Sequence, residues 1–131
     1  MRKIFLACPY SHADPAVTHE RFLASNEVAG YEVAGYIVES GHAVFSQVSM
    51  SHPVNLTFTG KDNTAIGRMW GPVDRVFMDA MEELIILDLP GWDQSSGIRR
   101  EIEFFESRDR RVSLWSEASA EFVAPERSAL R

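Results

Sequence analysis

Apolar residues in this chain fall into short continuous runs separated by longer stretches with helical spacing. The first run, within residues 3–8, reads as a buried strand, and so do residues 42–46, 84–89 and 111–115. Between the first two, Asp14-Pro15 has the form of a helix start: an N-cap acceptor followed by proline at the first helical position. Val17, Phe22, Val28, Ala29, Val33, Ile37 and Val38 carry the helical pattern, and Gly41 closes it. Gly30 and Gly35 inside it imply a kink or a close approach to a sheet. Trp70 to Met81 forms a second helix with Val73, Phe77 and Met81 on one face, and a third runs from about Ser96 to Arg108. Residues 47–69 have no clear period and carry Pro53, Gly60 and Gly67. They are expected to form a long functional loop, mobile without ligand.

Strands that alternate with helices and are apolar throughout predict an α/β fold with a parallel sheet covered on both faces. The expected architecture is a single-domain, Rossmann-like (flavodoxin-like) three-layer sandwich with four to five parallel strands. The domain is expected over residues 1–116, with a polar, weakly patterned tail over 117–131. In such sheets ligands bind beyond the carboxyl ends of the strands, where segments 9–13, 46–69 and 90–97 would meet.

Composition narrows the class of function. No apolar run approaches the roughly 20 residues that span a bilayer, so no membrane partner is expected. The start at Met1-Arg2-Lys3 reads as the approach to a strand rather than as a signal peptide. A single cysteine allows no internal disulfide and suits a reducing cytoplasm. The net charge of −6 argues against long nucleic acid, whose affinity comes from neutralised phosphates, but not against one nucleotide held by local donors. His12, His19, His42, His52 and Cys8 show no metal-ligand spacing, and neither a GxGxxG nor a P-loop is present, so no metal and no cofactor are expected.

The richest stretch is residues 84–101. An apolar run stops at Pro90-Gly91, a polar turn follows, and Ser95-Ser96-Gly97 opens a helix. A helix N-terminus offers free N–H groups and partial positive charge to an anion. On that helix Ile98, Ile102 and Phe105 form one stripe, the last two within about 40° of Ile98 at 100° per residue, and Glu101 lies on its flank in what reads as the first turn. Glu103 and Glu106 turn further toward solvent. The helix dipole favours any early carboxylate, but it does not explain placement beside the apolar stripe.

These residues carry a resemblance. Ile4-Phe5-Leu6-Ala7-Cys8-Pro9-Tyr10, Gly41-His42-Ala43-Val44-Phe45, an aspartate early in the second helix and Ser95-x-Gly97-Ile98-x-x-Glu101 resemble the nucleoside 2-deoxyribosyltransferase superfamily over roughly residues 3–115. The likeness is greatest to its 2′-deoxynucleoside 5′-phosphate N-hydrolase branch and to small relatives grouped as a domain of unknown function. The resemblance implies that Glu101 attacks the anomeric carbon and that Asp74, eight residues before Glu82, protonates the leaving base. It implies that Tyr10 holds the nucleophile or the sugar. Transferases acting on free nucleosides usually carry an aspartate where this chain has Ser95, and Gly-Thr where it has Gly97-Ile98. A serine can donate to a 5′-phosphate that an aspartate would repel, which tilts the expectation toward nucleoside monophosphates and hydrolysis.

Ser95, Ser96 and Gly97, with Ser11 and His12 from the first loop and more weakly Arg21, are the expected phosphate ligands. Asp79, Asp88 and Asp93 are the fallback acids. Trp92 stacks on a base, shields the pocket or packs under its loop, and His52 lies where it could close over a substrate. Cys8, before a proline at a strand end, reads as a structural thiol. The implied partners are a small nucleotide substrate and a second copy of the chain in a homodimer. The rival reading is a non-catalytic nucleotide-binding module or partner subunit, which would keep the Ser95–Gly97 turn without needing both carboxylates. A thinner third is a structural protein with an empty crevice.

Overall fold

The computed structural model describes residues 1–9 and 19–122, except the side chains of 19–25, 27 and 63. Four parallel strands, β1 (Lys3–Ala7), β2 (Ala43–Ser46), β3 (Glu83–Ile86) and β4 (Arg111–Leu114), pair in the order β2-β1-β3-β4. Phe5 registers with Phe45 and Leu84, and Leu84 with Val112. Because successive side chains point to opposite faces, each strand feeds two cores. Ile4, Leu6 and Cys8 of the first strand and its extension pack with Ile85, Leu87 and Ile37, while Phe5 and Ala7 pack with Leu84, Ile86, Ile98 and Phe105. Helix α1 (His19–Glu39) covers the first face, and α3 (Asn63–Ala80) and α4 (Ser96–Glu106) cover the second. This is the expected three-layer, Rossmann-like sandwich, with four strands.

Several elements differ from the sequence expectation. Residues 47–69 are not a long loop. They hold α2 (Gln47–Asn55) and the first turns of α3. Asp62 caps α3 by accepting from the Ala65 N–H at 2.8 Å, and Pro72 is carried inside the helix. Ile66, Trp70, Phe77 and Met78 share a helical stripe with Asp74, and the interior glycines and proline hide that period. The mobility expected of a long loop loses its basis in this segment. Gly30 does mark a close approach, to the start of α2 and the end of β2, since a Cβ there would lie 2.9 Å from Val48 Cγ1 and 3.2 Å from Ser46 Oγ. Gly41, at φ +89°, makes the left-handed turn that ends α1's exit.

The chain beyond residue 116 also contributes to the fold. Helix α5 (Trp115–Ala118) and a short 3₁₀ turn at Ser119–Glu121 bring Ala118 and Phe122 into the first core. Arg2 binds Glu83 through two hydrogen bonds of 2.8 and 2.9 Å, and Arg111 binds Glu121, which ties this segment below the strand starts. On the opposite face, Phe45 and Phe77 stack 4.0 Å apart and 3° from parallel. Arg110 donates to the Met78 and Met81 carbonyls at 3.0 and 2.9 Å. The stack and this C-terminal cap fix α3 on the sheet and so fix the level of Asp74 above it. Among the described residues, no helix is long and apolar enough to cross a membrane.

Candidate active site

The strand order reverses between β1 and β3, and a crevice opens beyond their carboxyl ends at such a point. A cleft of about 820 Å³ lies there, within the range of small-molecule sites. Its floor includes Cys8 at the end of β1. One wall is Gln47 and Ser51 of α2, a second is Trp70, Asp74, Arg75 and Met78 of α3, and a third is one face of α4 with its N-cap, from Ser95 to Phe104.

Ser95, Ser96, Gly97, Asp74 and Glu101 all line this one cleft. Ser95 is the N-cap of α4, its Oγ accepting from the Ile98 N–H at 3.3 Å. That bond uses the hydroxyl as an acceptor and leaves its hydrogen to donate. At Gly97 an added Cβ would meet only ordinary contacts, so what the glycine leaves open is space toward the cleft. Glu101 lies in the second turn of α4, not the first, because the helix begins at Ser96. It is buried beside Ile98 and Phe105 as the stripe predicted, whereas Glu103 and Glu106 are exposed. Asp74 lies deep inside α3 rather than in a first turn, and it too is buried.

The two carboxyls are electrostatically coupled. Burial pushes Glu101 up to about 8, helped by the negative charge of Asp74 and opposed by Arg100. Burial pushes Asp74 up to about 6, opposed by a hydrogen bond from Gln47 Nε2 to Asp74 Oδ2 at 2.9 Å. Glu101 Oε2 and Asp74 Oδ1 are buried without a hydrogen-bond partner among the described residues. Such a pair titrates as a unit and holds one proton near neutrality. Buried polar atoms left unpaired destabilise a fold, and their place in a cleft makes this pair the candidate site.

A stability prediction follows from these shifts. Both carboxyls bind protons more tightly folded than unfolded, so the native state carries more protons between about pH 4 and pH 8. Their stabilising contribution is full below pH 4 and is lost as pH rises through 6 and then 8. The ligand-free protein is expected to lose on the order of 3–5 kcal/mol from Glu101 across this window. Glu101→Gln should remove most of that slope in denaturant melts at pH 5 and 8.5. Equal slopes in the two proteins would show that Glu101 ionises without penalty.

Other candidates fall away from the cleft. Asp79 is exposed near Arg108, Asp88 accepts from the Ser116 N–H at 3.0 Å, and Asp93 is exposed. Trp92 packs against the second core and is not among the cleft-lining residues. His42 Nδ1 accepts from the Arg2 N–H, and His52 is buried on α2 outside the cleft lining. Cys8 lines the cleft, but burial and Glu101 push its thiol up to about 12, so it carries no thiolate. Tyr10, Ser11 and His12 lie outside the described residues, as does the side chain of Arg21. Among the described residues no three His, Cys, Asp or Glu side chains group as a metal site.

Sequence reasoning missed Gln47, Ser51, Trp70, Arg75, Arg100 and Phe104, which all line the cleft. Gln47 and Ser51 stand four apart on one helix face, a period that Pro53 and the glycines after it obscure in the sequence. Trp70 Nε1 donates to Asn55 Oδ1 at 2.5 Å and joins α3 to the end of α2. Phe104 is flanked by the guanidinium groups of Arg75 at 5.6 Å and Arg108 at 3.6 Å.

No curated protein matches this chain. A family model described as a domain of unknown function (DUF1937) matches residues 2–117, a span that contains every residue lining the cleft, and the chain belongs to that family.

Proposed function

We propose that this protein cleaves the N-glycosidic bond of a nucleoside 5′-monophosphate, by hydrolysis or by transfer to another base. The observation that carries the reading is the pair of buried, coupled carboxyls, Asp74 and Glu101, each with an oxygen in one cleft that has no partner among the described residues. The phosphate would sit at the N-terminus of α4, receiving the Ser95 hydroxyl and free backbone N–H groups. Glu101 is four residues beyond Gly97, about 6 Å along the helix axis, a length that suits a pentose between its 5′-phosphate and its anomeric carbon. Cleavage builds positive charge on the sugar and negative charge on the departing base. An ionised Glu101 stabilises or attacks the first, and a protonated Asp74 neutralises the second.

In the free protein burial raises both carboxyls. With substrate bound, a developing cation at the sugar favours the Glu101 carboxylate and a developing anion at the base favours protonated Asp74. Water then takes the anomeric carbon in hydrolysis, and a second base does so in transfer. A binding module would need the Ser95–Gly97 turn alone, and a buried, coupled carboxyl pair would only weaken it. A homodimer, implied by the resemblance, belongs to the same proposal and is measured by sedimentation velocity.

Incubation with ribo- and deoxyribonucleoside monophosphates, and with the same nucleosides unphosphorylated, tests the reading by chromatography of released base. Base from the monophosphates is expected; tight binding without release would favour the binding module. Ser95→Asp tests the phosphate contact without losing the helix cap, since aspartate also caps. Calorimetry should show monophosphate affinity falling about tenfold or more, against a small change for the nucleoside. Equal losses would remove the phosphate from Ser95.

A further inference from the structure

We propose that Gln47 is a positioning residue that assigns the two oxygens of Asp74: it holds Oδ2 as an acceptor, so that a proton on Asp74 sits on Oδ1 and faces the cleft. The inference rests on the N-glycosidase reading for its catalytic consequence, and on geometry for the assignment itself. The amide nitrogen of Gln47 lies 2.9 Å from Asp74 Oδ2. An amide N–H can only donate, so Oδ2 must accept and cannot direct a proton of its own at Gln47. Asp74 Oδ1 is buried and has no partner among the described residues. A neutral carboxyl in this setting therefore carries its hydrogen on Oδ1, the atom available to a leaving base.

The same bond limits how far burial raises Asp74, because it stabilises the ionised form more than the neutral one. Among the described residues, the charged groups that share the cleft with Asp74 are Glu101 and Arg100 on α4 and Arg75 beside it on α3. None of them supplies a hydrogen bond to Oδ1 among the described residues. Gln47 stands at the first residue of α2, directly after β2, so the end of a sheet strand sets its position.

Gln47→Leu tests the inference with two readouts. The first needs no activity: the side-chain ¹³C titration of Asp74 should move up by about one pH unit when the donor is lost. An unmoved titration in the folded variant overturns the assignment. The second is leaving-group dependence. Release of a poorly leaving base should fall about tenfold or more, and release of a highly activated one by no more than about twofold. In an Asp74→Asn background, Gln47→Leu should add little to the loss on the poor leaving group, because both changes remove the same proton delivery. Equal loss on both substrates, or full additivity with Asp74→Asn, would make Gln47 a merely structural residue and overturn the proposal. Wild-type protein that releases no base, with the Asp74 titration still moved by Gln47→Leu, would refute the N-glycosidase reading and leave the oxygen assignment standing.

Discussion

Glu101→Ala is expected to reduce base release by at least about a thousandfold while leaving the fold as stable as the parent or more so. The first half follows from position. Glu101 is 7% exposed, lines the cleft, and has an oxygen with no partner among the described residues. The second half follows from energetics. A structural residue lost from a core usually destabilises the protein, but a buried carboxyl that ionises late is itself destabilising above neutrality. At pH 8 the variant should therefore melt at or above the wild-type temperature. Unchanged turnover would end the nucleophile assignment. Lost turnover accompanied by a lower melting temperature at every pH would show that Glu101 holds the fold instead.

Asp74→Asn is expected to slow poorly leaving bases by about 10² to 10⁴ and to spare a highly activated leaving group almost wholly. An acid matters in proportion to the negative charge that the departing base must bear. Asparagine keeps the size of the side chain and can still accept from Gln47, but it has no proton of useful acidity to give. Wild-type rates should fall as pH rises through the range where the coupled pair gives up its shared proton, and this limb should be lost in the variant. Equal slowing on both kinds of substrate would make Asp74 a group that positions substrate. No slowing on either would remove it from the reaction, with none of Asp79, Asp88 or Asp93 in the cleft to replace it.

The layers of the fold were legible because buried parallel strands announce themselves. Ile4 to Ala7 and Leu84 to Ile86 are apolar on both faces, and both faces are covered. Glu101 was legible for a related reason: a carboxylate on the flank of an apolar stripe has few places to point. The wall formed by α2 and the start of α3 was not, because Pro53, Gly60, Gly67 and Pro72 interrupt the helical signal that Asp62, Ile66 and Trp70 carry. Asp74 is singled out only by the resemblance, and its depth inside a helix is not legible in the sequence. Gln47 was invisible to any search for titratable groups, since its contribution is a hydrogen bond that only the packed structure creates. Phe122 was hidden because one aromatic in a polar segment gives no period, and its burial depends on the Arg2, Glu83, Arg111 and Glu121 contacts around it.

The central claim is that this carboxyl pair cleaves a glycosidic bond. Its most direct test is chromatography of free base released from nucleoside 5′-monophosphates by wild-type protein and by folded Glu101→Ala, side by side. The expected result is base accumulating with the wild type and not with the variant. No base from any monophosphate with the wild type, or the same rate with both proteins, would contradict it.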